Sequence, residues 1–197
     1  MRALHRRLAE RVRPTTLVLW WEPILLGAER LPVKPHPRQW AEAIAESARA
    51  LRLPFPRLRL AVCLASPRPE ALELLDLLAA PDFPLDEIGF SATPYLAPLE
   101  GPRSLASLLE HIQAAMDRAG SARALSILRA GCAPAPVGGE QGQAGALAFL
   151  LSWASARPKL RTIVIHSLAS HDEDLGLITP TGRRRAAFSV VRGRTRT

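Results

Sequence analysis

Five short apolar runs recur along the chain, at Thr15 to Trp21, Arg57 to Ala65, Glu87 to Ala92, Ala124 to Arg129 and Arg161 to Leu168. Each is near-continuous rather than alternating, the pattern of strands covered on both faces, and such strands belong to parallel sheets. Between them the apolar spacing lengthens to a helical period. This predicts helices over Gln39 to Leu51, Pro69 to Leu78, Ser104 to Ala119 and Gln141 to Ala156, with a further one over Arg2 to Arg11. Pro69 suits a first turn, Ser104 an N-cap and Gly120 a helix stop.

The order is therefore a helix, four β/α units, and a last strand with a short end. Repeated βαβ units with right-handed crossovers make an α/β fold, either a piece of a TIM-like barrel or an open doubly wound sheet. No glycine-rich phosphate loop follows the first run, which argues against a nucleotide-binding protein. Residues 1–182 read as one domain and residues 183–197 as a basic carboxyl-terminal tail.

Charge changes the picture less than its size promises. The net charge of +8 includes Arg183, Arg184, Arg185, Arg192, Arg194 and Arg196, and without those six the body carries only +2. Lysine occurs only at Lys34 and Lys159, so arginine reflects codon bias as much as chemistry, and a nucleic-acid partner is not expected. Like-charged terminal blocks are commonly solvated, and the tail reads that way. No apolar run is long enough to span a bilayer, and no apolar segment follows the arginines of Met1 to Arg13, so the chain as given reads as cytoplasmic, without a membrane partner. Cys63 and Cys132 fall in or beside strands and read as reduced thiols.

Chemistry in β/α proteins gathers in the loops after the strands' carboxyl ends. Glu22 stands there, behind the apolar run ending in Trp20-Trp21 and ahead of Pro23. Trp21 is the better candidate for stacking on a ligand, because Trp40 lies at helical spacing with Ile44 and reads as core. His166, His171, Asp172, Glu173 and Asp174 form the densest group of metal-ligand residue types, but their spacing fits no defined metal site, and neither a metal nor a cofactor is expected. No cysteine-hydrolase signature surrounds Cys132, which reads as a buried or loop thiol rather than a partner of His166.

Taken together, these residues resemble the carboxyl-terminal half of a clan-A glycoside hydrolase barrel, the group that includes endo-β-1,4-galactanases and β-1,3-glucanases. The family's fourth strand ends in Asn-Glu-Pro, which holds the general acid/base; here Trp21-Glu22-Pro23 keeps the Glu and lacks the Asn. Its sixth strand is similar to Asp86-Glu87-Ile88-Gly89-Phe90-Ser91-Ala92-Thr93-Pro94-Tyr95, with Ala92 and Thr93 where the family has aromatic rings and Tyr95 left to supply one. The seventh strand resembles Ile127-Leu128-Arg129-Ala130-Gly131-Cys132, followed by a helix opening at Gly139-Glu140-Gln141-Gly142-Gln143, and Arg129 stands in the nucleophile's position. The eighth is similar to Thr162 to Leu168, with His166 near the place of a ring, and Gly176-Leu177 with Arg185 to Phe188 resembles the closing helix.

The resemblance implies an incomplete barrel of about five strands and a carbohydrate site at their carboxyl ends. Glu22 is the acid/base candidate, and Trp21, Ser91, Tyr95, Arg129, His166 and Asp172 are the candidate substrate contacts. A retaining glycosidase needs two carboxyl groups about 5–5.5 Å apart, one protonated and one ionised. A guanidinium stays protonated and has no lone pair for an anomeric carbon, so Arg129 cannot be the nucleophile. The expected function is a glycoside-hydrolase-like protein without hydrolysis that still binds sugar. An active enzyme with a second carboxylate from Glu140, Asp172, Glu173, Asp174 or a missing amino-terminal half is the alternative, and a structural or interaction protein is another. Five parallel strands leave two edges, which predicts self-association or pairing with such a half.

Overall fold

The computed structural model of the protein describes residues 2–24, 31–64, 69–93, 105–120, 123–166, 168 and 175–194. Its elements follow the predicted alternation. Helix α1 (Arg2–Val12) leads into β1 (Thr16–Trp21), α2 (Pro37–Arg52), β2 (Arg59–Leu64), α3 (Pro69–Ala79) and β3 (Glu87–Ala92). Then come α4 (Leu105–Ala119), β4 (Ala124–Ala130), a 3-10 turn (Ala135–Val137), α5 (Gly139–Ser155), β5 (Leu160–Ile165) and α6 (Ala186–Arg194). The strands form one parallel five-stranded sheet in the order β1-β2-β3-β4-β5, an α/β fold consistent with a partial TIM barrel.

The middle strands show why the runs lack alternation. All six residues of β3 are buried, as are five of six in β2, whereas β1 has one buried residue and β5 none. Central strands have both faces covered, and edge strands do not. Arg57 and Leu58 precede β2 rather than opening it, and the bond from the Leu58 N–H to the Phe55 carbonyl at 3.1 Å is a turn contact.

Contacts gather the chain into two compact units, one of Met1–Ser91 with Ile112–Ser126, the other of Ala92–His111 with Ile127–Thr197. In the first, α2 begins with a capping box: the Arg38 N–H donates to Nδ1 of His36 at 3.3 Å, and the His36 N–H donates to Oε1 of Gln39 at 2.8 Å. Pro37 at the first position needs no N–H partner. Arg49 and Arg52 in the last turn meet the negative end of the helix dipole. The buried face carries Trp40, Ile44, Ala48 and Leu51, and covering a side chain the size of Ile44 contributes about 1.5–3 kcal/mol.

Polar fastenings of this unit sit where strands begin. The Asp86 carboxylate accepts from the Leu60 N–H and from Arg52, both at 2.7 Å, tying the end of α2 to the starts of β2 and β3. Glu87, 2% exposed, pairs with Arg59 at 2.9 Å and accepts from the hydroxyl of Ser126. Arg123 donates to the carbonyls of Leu78, Ala80 and Phe83.

In the second unit α5 packs on α6, whose Ala187 is fully buried. A solvated tail was the expectation from charge alone, and the resemblance implied a closing helix; a helix runs to Arg194. Arg183 pairs with Glu140, and Arg185, 7% exposed, approaches the same carboxylate at 3.9 Å, so two of the tail's charges are compensated.

Candidate functional site

Two tryptophans at the end of β1 face opposite ways. Trp20 meets the edge of Trp40 on α2 with ring centroids 5.1 Å apart and an interplanar angle of 72°, and His5 of α1 meets Trp20 at 6.3 Å and 80°. Trp20 therefore belongs to the helix-covered side, together with its register partner Val62. Alternation puts Trp21 and its partner Cys63 on the other face, with Gly89, which pairs with Cys63, and Ser91 two residues further on. Trp40 is 8% exposed, a core residue as its spacing predicted.

Glu22 continues the ladder for one more step, its N–H donating to the Cys63 carbonyl at 2.7 Å. Its φ of 46° lies in the left-handed region, which an L side chain enters at a cost of about 1–2 kcal/mol. The residue is only 5% exposed, and the chain turns helical at Pro23 and Ile24 directly after it. A buried, strained acid at the carboxyl end of a parallel strand is the kind of placement that local packing alone rarely selects.

The first unit thus places Trp21 and Glu22 at the carboxyl end of β1 and Ser91 at that of β3. Strand β2 lies between them, and Ser91 is two residues beyond Gly89, the residue in register with Cys63 and Trp21, so the backbones at Trp21 and Ser91 are about 12 Å apart. The intervening side chains on that face, Cys63 and Gly89, are small, and Ser91 is 4% exposed.

The second unit places Arg129 and His166 at the ends of neighbouring strands. The His166 N–H donates to the Ala130 carbonyl at 2.8 Å, and the Gly131 N–H to the Ala92 carbonyl at 3.3 Å. Arg129 is half-buried and shares its face of β4 with Ile127, while Leu128 and Ala130 take the other; His166 is exposed. A Cβ on Gly131 would stand 2.3 Å from the His166 carbonyl oxygen, so only glycine permits this approach. Tyr95 and Asp172 lie outside the described residues, as do His171, Glu173 and Asp174.

Burial pushes the Cys132 thiol up to about 11. A catalytic cysteine needs the opposite shift, so the expectation of an inert thiol agrees with its setting. Among the described residues no group of three or more His, Cys, Asp or Glu is placed to hold a metal ion. Among them, too, no helix is long and apolar enough to cross a membrane.

One organising residue carries more weight than the sequence showed. Gln143 is fully buried, and its Nε2 donates to the carbonyls of Cys132 at 3.0 Å and Leu175 at 3.3 Å, joining the loop after β4 to the segment before α6. Its position follows from Gly142, where a Cβ would lie 1.7 Å from the Val137 carbonyl oxygen. The glycines at 138, 139 and 142 were the available signal of a tight entry to α5.

No protein-family model matches the sequence, and no curated protein matches it. Among solved structures the chain is similar to a GH128 (subgroup II) endo-β-1,3-glucanase from Sorangium cellulosum, with a TM-score of 0.68 and 16% identity over 96% of this chain and 74% of that one. It is similar to xylanase 10B from Thermotoga petrophila RKU-1, solved in complex with xylobiose, with a TM-score of 0.65 and 13% identity over 98% and 62% of the two chains. It is also similar to a monomeric β-xylosidase from Caulobacter crescentus CB15, with a TM-score of 0.69 and 14% identity over 99% and 45%. These neighbours are clan-A glycoside hydrolases of TIM-barrel fold, and at such identities the likeness is one of fold.

Proposed function

We propose that this chain is a glycoside-hydrolase-like protein that binds carbohydrate at the carboxyl ends of its strands and does not hydrolyse it. The observation that carries this reading is Glu22, buried, at positive φ, and directly after Trp21 on a fold shared with glycoside hydrolases. Trp21 would offer a stacking face for a sugar ring, and Glu22 and Ser91 would hydrogen-bond its hydroxyls. By the resemblance, Arg129, His166, Tyr95 and Asp172 are further candidate sugar contacts. Hydrolysis would fail because Arg129 stands where the family keeps its nucleophile, and a guanidinium supplies neither lone pair nor base.

The strain at Glu22 favours one other reading, an active glycosidase with Glu22 as acid/base. Its second carboxylate would come from a loop or from an amino-terminal half. Glu140 is a poor choice, since its carboxylate is engaged by Arg183. The remaining reading, an interaction protein, would use the sheet's edge strands β1 and β5 to pair with a second copy or with such a half.

Titration calorimetry with laminari-oligosaccharides and xylo-oligosaccharides, run beside a reducing-sugar assay, separates the three. Saturable binding without sugar release, lost in Trp21→Ala, supports the proposal. Release that disappears in Glu22→Gln replaces it with the active enzyme. Neither binding nor release leaves the interaction protein, and sedimentation then reports the association.

A further inference from the structure

The first unit holds a cavity of about 660 Å³ at the beginnings of β1 and β2, the opposite end of those strands from Glu22. Its apolar lining is Ala9, Pro14, Phe55, Pro56 and Leu58, with Arg13, Arg57, Glu10 and Thr15 as the polar members. We propose that this cavity is a binding site for a small amphiphilic anion, an aromatic or short aliphatic body bearing one carboxylate or phosphate.

Shape comes first. The volume falls within the range of drug-sized ligand sites, and an apolar wall with a few polar groups is their usual make-up. The wall is also pre-formed. The Phe55 N–H donates to the Leu51 carbonyl at 2.9 Å, the Leu58 N–H to the Phe55 carbonyl at 3.1 Å, and the Arg59 N–H to the Thr15 carbonyl at 3.0 Å. Ala9 and Leu58 are buried beneath it. Little backbone ordering remains to oppose a ligand.

Charge gives the ligand its sign. Arg13 and Arg57 are exposed, and among the described residues neither guanidinium has an ion-pair or hydrogen-bond partner. Glu10 is the one acid in the lining, and Arg6 holds it at 2.9 Å. The carboxyl end of α1 contributes roughly minus half a charge. Two guanidinium groups outweigh it, and their planar forks match carboxylate and phosphate oxygens.

Backbone strain points the same way independently. Arg13 has a φ of 50°, and its N–H caps α1 by donating to the Ala9 carbonyl at 3.2 Å. Glycine is the unstrained residue for such a helix end. An arginine there accepts strain that its side chain must justify, and a strained residue lining a cavity is a functional signal.

The full-length protein is titrated with 2-naphthyl phosphate, 2-naphthoate and neutral 2-methoxynaphthalene. One or both charged probes should bind saturably and about tenfold or more tighter than the neutral one, and their ratio tells phosphate from carboxylate preference. Arg57→Gln and Arg13→Gly should each weaken the preferred charged probe about tenfold and leave the neutral one unchanged. Arg13→Gly should keep or raise the unfolding midpoint, because glycine fits that φ, so its loss of binding cannot be misfolding. No saturable binding of either charged probe, binding equal to the neutral probe, or indifference to both substitutions overturns the proposal. Glu22→Gln should not affect this binding; if it does, the probes occupy another site and the proposal fails.

Discussion

A Cβ on Gly131 would stand 2.3 Å from the main-chain oxygen of His166, well inside any non-bonded approach. The clash is with backbone that is itself hydrogen-bonded, the His166 N–H to the Ala130 carbonyl, so it cannot relax by turning a side chain. Gly131→Ala should therefore lower stability by about 3 kcal/mol. Gly145→Ala is the control, a helical glycine with nothing within 4 Å of its added Cβ, and should raise stability by about 0.5–1 kcal/mol. Urea unfolding midpoints of the two variants should move in opposite directions.

The pair Arg59–Glu87 tests how the buried polar network is held. Glu87 is 2% exposed and pairs with Arg59 at 2.9 Å, so Arg59→Met leaves an uncompensated carboxylate and should cost about 3–5 kcal/mol. Adding Glu87→Gln removes the orphaned charge and keeps an acceptor for Ser126, so the double variant should recover a large part of the loss. A double variant no more stable than Arg59→Met would show that the pair's charge is not what matters.

His5 gives the protein a pH dependence of stated sign. Burial lowers its pKa below the ordinary 6.5, and a hydrogen bond with the Leu19 backbone only partly opposes this. The unfolded chain therefore takes up a proton that the folded chain resists. Its contribution to stability is complete above pH 6.5 and declines as pH falls from there through the folded-state value. Unfolding midpoints at pH 7.5 and 5.5 should differ, and His5→Leu should shrink the difference.

Cys132, with its thiol near 11, should be a slow target for alkylation. At pH 8 about one molecule in a thousand carries the thiolate, and the group is buried as well. Cys63 is fully buried. Iodoacetamide should label neither residue in the native protein and both in urea; prompt native labelling of Cys132 would contradict the assigned setting.

The architecture was legible because its strands are covered on both sides, so that β2 and β3 stand out as unbroken apolar runs without any need for alternation. Glu22 was legible for a similar local reason, a carboxylate between a strand and a proline. What escaped depends on partners far apart in sequence or on dihedral angles. His5, Trp20 and Trp40 meet edge to face but belong to three elements, and the positive φ angles at Arg13, after α1, and at Glu22, after β1, carry no composition signal. Gln143 looked like an ordinary helix-opening polar residue, and its role is set by carbonyls at Cys132 and Leu175. The pairing of Arg183 with Glu140, 43 positions earlier, was likewise invisible to a reading of the tail by charge alone.

Asp86, Glu87, Arg59 and Arg123 gather the first unit's fastenings where its strands begin, away from the ends that carry Trp21, Glu22 and Ser91. Such a division keeps the charged network at one end of the strands and the candidate ligand contacts at the other. Replacing Trp21 or Ser91 therefore leaves these ion pairs and hydrogen bonds untouched.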